Sequence, residues 1–138
     1  KKFDLDPGAE RAIGAHFKEI QGHDYVFITD WPFASRPFYH MLHPEEPGLT
    51  RSFDLLGKGL ELATGAQREH RYDVLKAQAL EKGLSLEVIQ DYLNYFRYGC
   101  PPHGGLGLGL SRLLMVLLDL PNIREAVYLF RGPNRLEP

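Results

Sequence analysis

The 138-residue sequence has the length of one domain and is long enough to bury a core. With 43% hydrophobic and 25% charged residues and a net charge of −2, its composition is typical of globular proteins and excludes a strongly basic field for nucleic acid. No apolar run has the length of a membrane span and the start is no signal peptide. The single cysteine, Cys100, excludes an intrachain disulfide and favours a cytoplasmic location.

The first 42 residues predict a helix followed by two strands. Asp6 can cap a helix that has Pro7 at its first position and runs to about Ile20. Two β-rich runs predict strands at residues 25–29 and 38–42. The loop between them offers three side chains that can line a pocket: Trp31, Phe33 and Arg36.

The next segment predicts a β-hairpin that brings two acids together. Residues 51–56 and 59–64 flank Gly57-Lys58, a pair that suits a two-residue turn with glycine first. Pairing outward from this turn places Asp54 opposite Glu61. Two carboxylates so placed repel each other unless a cation lies between them. The pair is therefore either a site for a divalent ion such as Mg²⁺ or a solvent-facing pair whose repulsion water screens.

Two helices are predicted after the hairpin. The first covers residues 66–82 and carries Arg68 and Arg71 near its N-terminus, where the helix dipole disfavours cations. Each of these arginines is therefore either solvated or directed at an anion. The second helix is capped by Ser85 and ends at Gly99. Its apolar face indicates core packing by four residues: Ile89, Tyr92, Leu93 and Phe96.

The stretch from Gly104 to Asp119 combines alternating glycines with an apolar helix. Gly105, Gly107 and Gly109 expose bare backbone if the segment is extended, so a flat ligand can lie against it. The helix that follows is apolar around most of its circumference, which predicts burial on more than one side. Its one charge, Arg112, stays ionised and requires an anion, which either a distant carboxylate or a ligand can supply.

Two nucleotide-binding motifs are excluded in this stretch. A dinucleotide fingerprint requires a third glycine where Leu110 stands, and the glycine-lysine step of a P-loop is missing. Just before the stretch, His103 either faces a ligand or is satisfied by the backbone. Beyond it, residues 127–130 predict a last strand.

Four segments match a known pattern. GLGLGLSR at 105–112 resembles motif 3 of class II aminoacyl-tRNA synthetases, and FDLLGKGLELATGAQREH at 53–70 resembles a segment specific to their aspartyl and asparaginyl branch. RPFYHM at 36–41 and PPHGG at 101–105 also fit. The resemblance covers nearly the whole chain and is closest to the C-terminal part of the catalytic domain of archaeal-type aspartyl-tRNA synthetases. It implies an α+β fold, part of the class II core, with a mainly antiparallel sheet flanked by helices.

The resemblance also implies roles for individual residues. The catalytic pair would be Arg112 and Glu61. The ligands of Mg²⁺ would be Glu61, Thr64 and Asp54, and aspartate would be bound by Thr64 and Arg68. ATP would be bound by Glu61, Gly109, Leu110, Ser111 and Arg112. Under strict strand alternation Thr64 faces away from Glu61, so its assignment requires a bend at Thr64-Gly65.

The activity that the resemblance implies is that of an aspartate–tRNA ligase, which forms aspartyl-adenylate from ATP with Mg²⁺ and transfers aspartate to the 3′ end of tRNA-Asp, with tRNA-Asn left open. Motif 2 has the form F-R-x-E and is absent, so we expect residues 1–138 to be a fragment that is inactive alone. We expect motifs 1 and 2, the anticodon-binding domain and the homodimer contacts to lie upstream. Three alternatives remain: an asparaginyl-tRNA synthetase, a synthetase-like asparagine synthetase, and a non-catalytic synthetase-derived binding module.

Overall fold

The computed structural model of the protein describes residues 4–137. The helices are α1 (Pro7–Gln21), α2 (Tyr72–Glu81), α3 (Gln90–Arg97) and α4 (Leu110–Leu117). The strands are β1 (Tyr25–Thr29), β2 (Ser52–Gly57), β3 (Leu60–Gln67) and β4 (Gly104–Leu108). The strands form one antiparallel sheet in the order β1-β2-β3-β4, which confirms the predicted α+β fold.

The first helix and strand confirm the sequence prediction. A carboxylate oxygen of Asp6 accepts a hydrogen bond from the Ala9 amide at 2.8 Å, and Pro7 occupies the first helical position. The helix ends at Gly22, whose φ of 72° is the left-handed conformation that glycine adopts without strain. The cap at each end therefore sets the length of α1.

The hairpin turn lies one residue later than predicted. Lys58 and Gly59 have φ values of 48° and 73°, the backbone of a turn with two left-handed residues. Asp54 and Glu61 consequently do not stand directly opposite each other, and that prediction is wrong. Uninterrupted alternation from this turn would point Asp54 and Thr64 to opposite faces, yet one guanidinium contacts both. We infer that β3 carries a β-bulge before Thr64, one residue earlier than the predicted bend.

Both later helices begin after their predicted starts. Residues 66 and 67 continue β3, and the Arg68 amide donates to the His103 carbonyl at 2.9 Å, so α2 begins only at Tyr72. Arg68 therefore does not lie at a helix start, and Arg71 is the N-cap residue. Helix α3 begins at Gln90, and Ser85 does not cap it.

Two predicted strands are absent from the described chain. Residues 38–42 form only isolated bridges, His40 with Arg68 and Leu42 with Thr50. Residues 127–130 follow a short 3₁₀ helix (Ile123–Ala126) and form no strand. The predicted burial of α4 on more than one side is also wrong for the described residues, since Val116 is its only buried residue and Leu110 is 64% exposed.

The chain divides into two compact units, each with its own apolar core. The first unit contains residues 27–54 and 64–107 with Asp4 and Leu5, and the second contains residues 6–26 and 55–63 and the segment from Leu108 onward. The first core is built from α2 and α3: Leu75, Leu93 and Phe96. The second unit buries Val26, Leu56, Leu62, Ala63 and Val116. Within residues 4–137, every helix is too short or too polar to cross a membrane.

Candidate active site

A cavity of about 390 Å³ opens in the first unit where three segments meet. The loop after the 3₁₀ helix Phe33–Ser35, strand β3 and strand β4 each contribute to its wall. The lining residues are Arg36, Pro37, Tyr39, His40, Thr64, Gly65, Arg68, Leu106 and Gly107. None of them is acidic, so this cavity is suited to an anionic ligand.

Arg68 is fixed in this cavity by an aromatic ring and a carbonyl. Its guanidinium carbon lies 4.7 Å from the centroid of the Tyr39 ring, and Nη2 donates to the Gly105 carbonyl at 3.2 Å. Nη1 is buried and has no hydrogen-bond partner within residues 4–137. A buried donor without a partner costs about 1–3 kcal/mol, and a ligand carboxylate would remove that cost.

Arg36 forms an ion pair with a buried carboxylate. Its Nη2 pairs with Asp54, and its Nη1 donates to Thr64 Oγ1 at 3.0 Å. The guanidinium also stacks 4.4 Å from the centroid of the Trp31 ring. The side chains of Arg36 and Asp54 are only 12% and 5% exposed, so water screens their interaction little. The charge of Arg36 is thus largely neutralised, whereas Arg68 retains a donor for a ligand.

His40 lies almost completely buried beside these arginines, with 4% of its surface exposed. Burial, together with the charges of Arg68 and Arg36, lowers the pKa of its imidazole to about 4. The Gln78 amide supports the segment by donating to the His40 carbonyl at 2.9 Å. His40 is therefore neutral at physiological pH and adds no positive charge to the cavity.

The glycines of β4 and Gly109, which follows this strand, leave room for arginines as well as for a ligand. A Cβ on Gly105 would lie 3.1 Å from Arg68 Nε, and a Cβ on Gly107 would meet nothing within 4 Å. In the second unit, a Cβ on Gly109 would lie 3.5 Å from Cδ of Arg112. Gly107 is the position where bare backbone faces open space, as a ligand surface requires.

Glu61 and Arg112 meet in the second unit. Arg112 Nη1 donates to the Glu61 carbonyl at 2.8 Å and lies 3.9 Å from its carboxylate. The side chains of Arg112 and Glu61 are 46% and 36% exposed, so Arg112 is not buried in the apolar helix, and the carboxylate near it belongs to a residue distant in sequence. Arg112 stands in the first turn of α4, directly after the predicted ATP-binding residues Gly109, Leu110 and Ser111. The Gly109 amide donates to the Leu62 carbonyl at 2.8 Å, which anchors this turn to β3.

The predicted metal ligands are divided between the two units. Asp54 and Thr64 are both bound to Arg36, while Glu61 lies with Arg112. The described residues hold no group of three or more metal-ligating side chains. Mg²⁺ typically takes one or two carboxylates and keeps water or phosphate elsewhere, so half-exposed Glu61 fits such an ion. The second oxygen of Asp54, Oδ1, is buried without a hydrogen-bond partner and also fits.

Sequence reasoning missed the pairing of Arg36 with Asp54 and the burial of His40. The sequence carried no signal for the first, because strand alternation places Asp54 on the face opposite Phe53 and Leu55, a pattern that indicates a solvent-facing acid rather than one with a buried partner. No sequence signal identifies which of several arginines that partner is.

Comparisons with known proteins show what this chain is similar to. The family model described as "tRNA synthetases class II (D, K and N)" matches residues 1–131. The aspartate–tRNA(Asp/Asn) ligase of Aeropyrum pernix is 50% identical over 135 residues, which is 98% of this chain and 30% of that protein. The chain therefore spans about 30% of the length of this relative.

Solved structures give the same match. The aspartyl-tRNA synthetase of Entamoeba histolytica superimposes with a TM-score of 0.94 at 36% identity, over 99% of this chain and 28% of that one. The asparaginyl-tRNA synthetase of Pyrococcus horikoshii, complexed with asparaginyl-adenylate, gives 0.86 at 34% identity, over 98% of this chain and 30% of that one.

Proposed function

This chain belongs to the class II tRNA synthetase family of the D, K and N type, and from that premise we propose that it is the C-terminal part of the catalytic domain of an aspartate–tRNA ligase. Motif 3 is assigned to residues 105–112. We assign motifs 1 and 2 and the anticodon-binding domain to parts of the protein outside this chain. The proposed substrates are aspartate, ATP and tRNA-Asp, with tRNA-Asn as a second acceptor. The aspartate–tRNA(Asp/Asn) ligase of Aeropyrum pernix supports this assignment.

The single observation that carries the proposal is the state of Arg68. Its guanidinium is held by Tyr39 and Gly105, yet Nη1 has no partner within residues 4–137 and the cavity wall holds no acid there. A guanidinium fixed in this way selects a planar carboxylate by paired hydrogen bonds. Arg68 would therefore bind the side-chain carboxylate of aspartate, and Thr64 would contact the amino acid from β3.

Arg112 and Glu61 supply the proposed nucleotide contacts. Arg112 is half exposed at the start of α4, where it can neutralise phosphate charge together with the backbone of Gly109, Leu110 and Ser111. Glu61, with Asp54 and Thr64 nearby in sequence, would hold Mg²⁺, which neutralises phosphate charge when bound. For Asp54 to serve in this way, its second oxygen must act while Arg36 holds the first.

The proposed reaction has two steps and needs no protein nucleophile. An α-carboxylate oxygen of aspartate attacks the α-phosphorus of ATP, the bond to pyrophosphate breaks, and aspartyl-adenylate forms. A ribose hydroxyl at the 3′ end of tRNA then attacks the acyl carbon and AMP leaves. The protein contributes by orienting the reactants and by placing cations around developing negative charge.

The decisive experiment is aspartate-dependent ATP–pyrophosphate exchange by the full-length protein. Arg68→Gln should raise the KM for aspartate about ten- to hundredfold and leave the KM for ATP nearly unchanged, because a hydrogen bond to a charged group contributes about 1.5–3 kcal/mol. Arg97→Gln removes the same charge from an exposed site on α3 and should change neither value. Equal changes in both KM values for Arg68→Gln would remove its assigned role.

Asparagine is the second candidate substrate, because the superimposed Pyrococcus horikoshii structure is an asparaginyl-tRNA synthetase. Exchange that depends on asparagine and not on aspartate would establish this alternative. Asparagine formation from aspartate, ATP and ammonia without tRNA would identify a synthetase-like asparagine synthetase. Absence of exchange with either amino acid would favour a non-catalytic binding module.

We also propose a homodimer formed through segments outside this chain, and a cytoplasmic location. The dimer follows from assigning motif 1 to those segments. Light scattering of the full-length protein and cell fractionation test these two proposals.

A further inference from the structure

A second cavity in the first unit is lined by cationic and imidazole side chains. Its volume is about 420 Å³, and its polar wall consists of His43, Arg51, Gln67, His70 and Arg71. The rest of the wall is proline and aliphatic. None of the residues that line it is acidic. This cavity shares no lining residue with the one around Arg68.

Both arginines of this cavity are already oriented by a neighbour. Arg51 Nη1 donates to Gln67 Oε1 at 2.9 Å. Arg71 donates through Nε and Nη2 to Glu69 at 2.9 and 2.8 Å, and this carboxylate is completely buried. Each guanidinium therefore loses little further side-chain freedom when it binds an anion.

The two histidines lack partners at one ring nitrogen. Nδ1 of His43 and Nδ1 of His70 are both enclosed and make no hydrogen bond within the described chain. An enclosed polar atom without a partner is destabilising, and in the tautomer that carries its proton on Nδ1 each ring has an unused donor. The histidines therefore add two donors that an occupant with acceptor oxygens can use.

We propose that this cavity binds a phosphate group, carried by a free anion or nucleotide or by the backbone of an RNA strand. The Arg51 guanidinium, the Nη1 donors of Arg71 that Glu69 leaves unused and the two imidazoles together offer more donors than the two oxygens of a carboxylate accept, whereas a phosphate presents three or more oxygens. The aliphatic and proline walls suit the carbon atoms of an adjoining ribose. The RNA source rests on the proposed function, and the phosphate site itself does not.

The test is chemical modification of individual arginines in the full-length protein. An arginine-selective dicarbonyl reagent is applied with and without inorganic phosphate, or with a short single-stranded RNA, and peptide mass spectrometry reads each site. Arg51, which is exposed, should be protected about tenfold by saturating inorganic phosphate. Arg97, which is exposed and does not line the cavity, should not be protected and serves as the control.

A second variant tests the orientation of Arg51. Gln67→Leu removes the acceptor that fixes this guanidinium without removing a charge, so several times more phosphate should be needed for the same protection. The concentration of RNA, counted as phosphate groups, is compared with the concentration of inorganic phosphate that gives the same protection. A lower value for RNA would identify an RNA strand as the source. Protection by phosphate alone would identify a free anion or nucleotide.

Two results would overturn the phosphate site. One is no protection of Arg51 by either probe, and the other is equal protection of Arg97, which would indicate general ionic screening. Aspartate-dependent exchange by the unmodified protein is measured in parallel. Absence of this exchange would refute the proposed function. Protection of Arg51 by inorganic phosphate would still support the phosphate site.

Discussion

Removing one partner of the buried pair between Arg36 and Asp54 should strongly destabilise the fold. Their side chains are 12% and 5% exposed, so the remaining charge cannot be solvated by water. Loss of one partner of such a pair costs about 3–5 kcal/mol, and we expect this range for Asp54→Ala. Arg36→Met should cost a similar amount and additionally leaves the Thr64 hydroxyl without its donor.

Replacing both partners by apolar residues isolates the electrostatic part of this effect. Arg36→Met combined with Asp54→Leu should lie within about 1–2 kcal/mol of the original protein, because neither charge is then left unpaired. Urea unfolding in the presence of EDTA measures these free energies and removes any contribution from a bound metal. Trp31 is the only tryptophan of this chain and lies against Arg36, so its fluorescence reports this region.

An exposed ion pair provides the matched control. The side chains of Lys18 and Asp24 are 60% and 31% exposed, so water screens this pair and Asp24→Ala should cost far less than Asp54→Ala. A cost below about 1 kcal/mol for Asp54→Ala, or a double variant less stable than either single variant, would refute the interpretation of the Arg36–Asp54 pair.

Two further predictions concern pH and close packing. The pKa of His40 is about 4 in the folded protein and near 6.5 when unfolded, so the unfolded state binds more protons between these values. The contribution of His40 to the free energy of unfolding should therefore fall by about 3 kcal/mol as pH decreases from 7 to 4, and His40→Gln should reduce the slope by that amount in urea titrations; an unchanged slope would contradict the assignment. Gly65→Ala should cost about 1–3 kcal/mol in urea unfolding, because its Cβ would lie 2.6 Å from the Phe53 ring and 2.9 Å from Leu106 Cβ. Gly107→Ala, with nothing within 4 Å, should cost far less, and equal losses would contradict this reasoning.

Local signals predicted those elements whose limits are set within the element itself. Asp6 and Pro7 determine the start of α1 through a hydrogen bond and a fixed φ, and the β-branched run of β1 forms the strand that it predicts. Fold class followed from the same signals together with the family resemblance. In each case the deciding contact lies within a few residues of the signal.

Predictions failed where contacts distant in sequence decide the structure. Residues 66–71 have good helix formers, yet pairing of Arg68 with His103 continues the strand region there. The hairpin turn moved by one residue because Lys58 accepts a positive φ, which glycine-first turn rules did not anticipate. The positions of Arg36 and His40 depend on partners 18 and 38 residues away, for which the sequence carries no spacing signal.

The Arg68 guanidinium occupies space that is available because Gly105 has no side chain. A methyl group at Gly105 would lie 3.1 Å from Arg68 Nε, so the guanidinium would have to shift by a few tenths of an ångström relative to the Gly105 carbonyl that it contacts. A mutational survey confined to ionisable and polar residues would overlook this position. Exchange of a single hydrogen for a methyl group there would shift the guanidinium by a fraction of an ångström while every ionisable and polar side chain stayed in the sequence.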